Sequence, residues 1–163
     1  MELLVKDILK RPHFEDAEVL AGKKGLNRVI KWVHIVEINT FGHLLNGQEM
    51  VLTTGIGWIN DTKKSLHYLQ QLLDYHASVL CIEIDSKIHR LPKEMLTLAD
   101  ENNFPIILFH KEVKFIEITK DIHQLLLNYQ ESIWLDLEDL YKKMNQILVD
   151  NGTIADFLKS LHQ

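Results

Sequence analysis

Glu37, Thr53 and Thr54 stand where two apolar runs give out, Trp32–Ile38 and Met50–Thr54. A carboxylate at the end of one run can hold a cation or a hydrogen-bond donor. Two hydroxyls at the end of the other, followed by Gly55, can offer O–H and N–H groups to an anion or a purine edge. Runs bounded by polar and small residues suit buried strands, and ligands of parallel sheets collect outside the carboxyl ends of the strands. Plainer readings stand beside these. Glu37 can simply accept backbone N–H groups and fix its own turn. Thr53-Thr54-Gly55 can be a strand-to-loop transition that needs small residues. His110 follows a third apolar run, Ile106–Phe109, and joins the candidate ligand-binding set; its plainer reading is an exposed loop histidine.

Reactive chemistry has thinner support. Glu37 and Glu49 could act as general acid and base if their surroundings split their pKa values, with His110 as a third member. Yet Glu37 ends a strand and Glu49 precedes one, which points to opposite sheet ends and favours turn-fixing or ligand-holding. There is no GxSxG elbow and no phosphate-binding GxxxxGK[ST] loop. The nine histidines form neither HExxH nor a zinc spacing with cysteine, so neither metal nor cofactor is expected. Cys81 lies mid-strand in VLCIEI and reads as a small core residue. Trp32, Trp58 and Trp134 read as core or interface anchors; Trp58, just after TTGIG, could also cap a planar ligand.

The elements that position these residues follow from pattern. Leu3 to Leu9 fits a short helix stopped by Pro12, Val19–Ala21 a strand, and Gly22–Gly25 a turn. Phe41–Leu45 reads as one helical turn closed by Asn46-Gly47. Asp61 suits an N-cap for a helix to about His76, with Leu66, Leu69, Leu72 and Leu73 on its buried face. Val79–Ile84 is a strand. Pro92 opens a helix that packs through Met95, Leu96, Leu98 and Ala99. Alternating strands and helices predict an α/β fold: a small, mainly parallel sheet flanked by helices, with right-handed crossovers.

The last third has no Pro or Gly between Ile106 and Asn151. From Phe115 through Ile133, Leu137, Leu140 and Met144 to Leu148, apolar residues recur in steps of three, four and four. That eleven-residue repeat is close to the period of a straight helix. One helix from about Val113 to Asp150 would be on the order of 55 Å long. Its part beyond about Tyr129 needs a cover, either a second subunit or a downstream domain. Gly152 is expected to end it, with a short helix Ile154–Leu161 after it.

A net charge of −5 without a basic block argues against DNA binding by these residues. The nearest basic group is Lys23, Lys24, Arg28 and Lys31, read as a solvated loop face. One cysteine excludes a disulfide framework and fits a reducing compartment. No signal peptide and no membrane-length apolar run is visible, so a cytoplasmic location is expected.

The block WVHIVEI, a short helix, then LLNGQEMVLTTG resembles the N-terminal domain of purine catabolism regulator (PucR-like) transcription factors. LVKDIL, VLAGKKGLNRVIKWVHIVE, LPKEMLTLADENNFPIILF and VKFIEIT agree with it, so the resemblance runs from about Leu3 to Asn128. It implies a sensor domain over 1–129, responding to a purine-pathway or other nitrogen metabolite. It further implies a DNA-binding helix-turn-helix outside these residues, to which the helical segment 130–163 is read as a linker and oligomerisation segment. It marks Glu37 and Glu49 as signature positions without a catalytic role. The expected protein is therefore a non-enzymatic regulator, homo-oligomeric through its last helix, with an unknown small-molecule effector. The alternatives are a small α/β enzyme using Glu37, Glu49 and His110, or a dimerisation module without a ligand.

Overall fold

Among the described residues four strands run parallel and one opposes them, in the order β1-β5-β4-β3-β2. The computed structural model describes residues 2–84, 90–149, 153, 155 and 158. The strands are β1 (Ala17–Ala21), β2 (Trp32–Ile35), β3 (Glu49–Thr53), β4 (Val79–Glu83) and β5 (Ile106–Phe109). Only β1 is antiparallel, paired along β5. The helices are α1 (Val5–Ile8), α2 (Thr62–Asp74), α3 (Lys93–Glu101) and α4 (Phe115–Val149). The α/β reading, with its mainly parallel sheet and long last helix, holds. The expected helix over Ile154–Leu161 lies largely outside the described residues.

The alternation of a strand's side chains divides the core into two faces. Val51, Leu80, Ile82, Ile106 and Leu108 join one apolar cluster with Tyr68, Leu69 and Leu72 of α2 and Met95 and Ala99 of α3. Their neighbours Met50, Leu52, Val79, Cys81, Ile107 and Phe109 turn to the other face and are also fully buried. Phe14 packs on Phe109 there, with ring centroids 5.1 Å apart. Ile118 and Ile122 of α4 are completely buried. Asp61 caps α2 as its type predicts, accepting the Lys64 N–H at 3.1 Å. The inward face of α2 differs in detail: Ser65 and Tyr68 are buried, while Leu66 and Leu73 are only partly covered.

Arg28 is not the solvated loop residue its neighbours suggest. Its guanidinium donates to the carbonyls of Asn102 (3.0 Å), Asn103 (3.0 Å) and Ala77 (3.1 Å). It also lies over the Phe104 ring at 5.4 Å. The backbone just past the end of α3 leaves carbonyls without intrahelical partners, and a fork of donors suits them. Lys23, Lys24 and Lys31 are exposed.

Of the two readings open to Trp58, core anchor or cap for a planar ligand, the structure takes the core one. It is 1% exposed and stacks on Tyr68 at 4.4 Å. The Gly55–Asn60 loop folds back over the sheet, with the Ile59 N–H bonded to the Gly55 carbonyl, and burying the largest apolar ring outweighs leaving it free.

Contacts separate residues 2–126 from a second unit that begins at Leu127. Within the first unit, Arg11 holds Asp121 of α4 by two bonds, at 2.8 and 2.5 Å. The bonds from Arg11 lower the Asp121 carboxyl below its usual range. A carboxylate lowered on folding adds stability above its unfolded pKa, and loses it as pH falls through the folded value. Asp121→Asn is therefore expected to cost about 1 kcal/mol at neutral pH, the size a solvent-screened pair allows. In denaturant titrations the gap to the parent should close below about pH 4.

Candidate functional site

The carboxyl edge of the sheet carries a group of polar contacts centred on Glu37. One carboxylate oxygen accepts the Thr54 N–H at 2.8 Å. The other accepts the hydroxyls of Thr54 (2.9 Å) and Thr53 (3.2 Å). The Thr53 hydroxyl oxygen in turn accepts the Gly55 N–H at 3.1 Å. Four of the residues singled out by sequence are thus one connected group, spanning the ends of β2 and β3. The parallel register explains it: Ile35 lies opposite Leu52, so both chains leave the sheet side by side. Tyr68 seals the underside, donating its hydroxyl to the Val36 carbonyl at 2.9 Å. Burial pushes that hydroxyl's pKa well up, so it remains a donor.

Glu37 itself is exposed, Thr54 is half-buried, and Thr53 and Gly55 are buried. The turn-fixing role of Glu37 is visible in these bonds. The carboxylate still faces water and has capacity for a further donor, since an ionised carboxylate offers about four lone-pair sites.

His110 stands apart. It follows β5, two strands from β3, which is roughly 10 Å at the usual strand spacing. Its Nε2 lies 2.7 Å from Glu18 Oε2 on β1. Beside it Lys111 pairs with Asp16. Glu83, at the end of β4, lies between and accepts the Val113 N–H at 3.1 Å, tying down the approach to α4. Sequence reasoning passed over Glu83. The signal was present, because WVHIVE and VLCIE both place a glutamate just after an apolar strand.

Glu49 lies at the other end of the sheet. It is 1% exposed and accepts the N–H groups of Asn46 (2.5 Å) and Gly47 (2.9 Å). β3 separates it from Thr53 by four residue steps, roughly 13 Å. Glu37, Glu49 and His110 therefore do not share a cleft, and the enzyme alternative loses its proposed constellation. Cys81 is fully buried, and burial raises its thiol pKa; a buried thiol in apolar surroundings is a poor nucleophile. Among the described residues no group of three or more His, Cys, Asp or Glu side chains could hold a metal ion. No helix among them is long and apolar enough to cross a membrane.

A cleft of about 400 Å³ also opens at this amino end, lined by residues that include Lys31, Trp32, His34 and Gln48. Trp32 is half-exposed and lies against the His123 ring of α4 at 4.4 Å. Sequence reasoning did not find this cleft, because the carboxyl-end rule directs attention to the opposite edge.

Residues 7–126 match the model of the purine catabolism regulatory protein-like family. The chain is 25% identical over 161 residues to the purine catabolism regulatory protein of Bacillus subtilis (strain 168), covering 96% of this chain and 30% of that protein. It is 23% identical over 144 residues to the transcriptional activator PmfR of Paenarthrobacter nicotinovorans, covering 88% of this chain and 31% of that protein. The chain thus spans less than a third of the length of these relatives. Among solved structures it is similar, at a TM-score of 0.45 and 16% identity, to the CBS and DRTGG domains of the regulatory region of Clostridium perfringens pyrophosphatase, crystallised with diadenosine tetraphosphate. That match covers 67% of this chain and 44% of the other.

Proposed function

Because the chain belongs to the purine catabolism regulatory protein-like family, we propose that it is the input domain of a transcriptional regulator. In this reading residues 1–129 sense a small metabolite and residues 130–163 pass the bias to downstream domains. DNA is contacted only by those downstream domains. The effector is a purine-pathway or other nitrogen metabolite, and no catalysis is involved.

The observation that carries the reading is the single helix Phe115–Val149. Its first turns are held by Ile118, Ile122 and the Arg11–Asp121 pair, and it then continues without a break. A ligand that favours one arrangement of the domain can shift a population downstream through the residues that follow it. The Glu37–Thr53–Thr54–Gly55 group is the proposed ligand contact. His110 could take part only with an effector long enough to cross two strands.

The test is a thermal-shift screen with purines, their degradation products and amino acids, since a ligand that binds only the native state raises its apparent stability. Glu37→Gln keeps shape and removes charge. It is expected to lower stability by roughly 1–2 kcal/mol through weakened charge-assisted bonds, and to weaken the effector found in the screen. Trp32→Ala, at the amino-end cleft, should leave that affinity unchanged. The reverse pattern would move the site to the cleft around Trp32.

The oligomer forms through the last helix in this reading. Ending the chain after Tyr129 is expected to leave a folded monomer, while the whole chain sediments as a dimer or larger. If both sediment as monomers at high concentration, the apolar stripe is covered by another domain instead.

A further inference from the structure

Charge along the second half of α4 is divided between its ends. Residues 130–139 hold Glu131, Asp136, Glu138 and Asp139 and no cation; residues 140–149 hold Lys142 and Lys143 and no acid. Along the same stretch Ile133, Leu137, Leu140, Met144 and Ile147 recur in steps of four, three, four and three, the spacing of a two-helix seam. The first four are 46%, 50%, 36% and 37% exposed. We propose that this stripe pairs with the same stripe of a second copy running antiparallel. The proposal rests on the reading of the last helix as an oligomerising element, and adds its orientation.

The stripe and its charges are self-complementary. Reversing one helix sets the acidic half of each copy against the basic half of the other. A parallel pair sets four acids level with four acids, and like charges at close range oppose association. The residues flanking the seam give the same answer. Asp136 and Lys143 sit one position before Leu137 and Met144, on one side of the stripe. Trp134 and Tyr141 sit one position after Ile133 and Leu140, on the other side. Reversal brings like sides together, so Asp136 meets Lys143 of the second copy twice, and Trp134 meets Tyr141 twice. The seam layers become Leu137 with Leu140 and Ile133 with Met144. A parallel pair would instead put Asp136 beside Tyr141, removing water from a carboxylate without a partner.

Trp134 and Tyr141 are 72% and 61% exposed, which suits aromatic anchors of an interface. Lys143 now bonds Asp139 one turn away at 2.9 Å, and Lys142 bonds Glu138 at 2.7 Å. Both pairs are well exposed, and exposed pairs of this kind are easily exchanged.

The test uses the whole chain and spin labels at single introduced cysteines; native Cys81 is fully buried and stays unlabelled. Glu138→Cys lies at the centre of the proposed pairing, so its two labels should be close. Glu131→Cys lies seven to eight residues away, so its labels should be offset by about 22 Å along the axis. Asp136→Lys or Lys143→Asp alone should weaken association roughly five- to tenfold, and the double exchange should restore it. Equal short distances at both labelled positions, with indifference to charge reversal, mean a parallel pair; the orientation is then wrong and the oligomer stands. No dipolar coupling at high protein concentration means a monomer, and overturns the orientation and the oligomer together.

Discussion

Gly25→Ala is expected to remove a large part of the stability of the domain. A Cβ at Gly25 would stand 1.9 Å from the Asn103 carbonyl oxygen and 2.9 Å from its carbon. The opposing atoms are backbone, and they belong to the turn between α3 and β5 that Arg28 grips. They cannot move without pulling β5 out of register with β4. Overpacking of this kind belongs to the small class of changes that cost about 4 kcal/mol or more, against a total of roughly 5–15 kcal/mol for a domain. Gly22→Ala should behave similarly: its Cβ would lie 2.0 Å from the Phe104 carbonyl oxygen, and its φ is +68°, which an L side chain disfavours. Lys24→Ala, one residue from Gly25 and exposed, should change almost nothing. Circular dichroism melts of the three variants test this, and a parent-like Gly25→Ala would mean that the two backbones do not meet.

Ile122→Ala is expected to cost about 2–5 kcal/mol, the range for truncating a fully buried isoleucine. The loss should concentrate at the start of α4. Amide exchange between Phe115 and Leu126 should accelerate more than exchange in β3 and β4, whose Val51, Leu80 and Ile82 are held by α2 and α3. In a longer regulator carrying this domain, the same change should leave effector affinity intact and blunt the response. If exchange rises equally everywhere, the start of α4 is part of one cooperative unit with the sheet and is not a separable relay.

Glu37 and Glu49 share a local role. Both are acceptors of backbone N–H groups, Glu37 at the carboxyl edge and Glu49 at the amino edge. They fix the two turns that bracket β3, which explains their placement without chemistry. Only Glu37 also faces water.

Much of the fold was legible in the residues themselves. Apolar runs of strand length, the Asp61 cap and the unbroken α4 pattern are local signals, because period and capping depend on neighbours in the chain. The group Glu37, Thr53, Thr54 and Gly55 was also legible, since a parallel register is enough to bring two consecutive strand ends together. What only the tertiary structure decided depends on contacts between residues far apart in sequence. Arg28 is bound to carbonyls 49 to 75 residues away, so its basic neighbours gave a false guide. Trp58 had two readings in sequence, and its stack on Tyr68 selects the core one. His110 was separated from Glu37 by the order of strands, and strand order is set by which faces can be buried together, a property no single segment of the sequence contains.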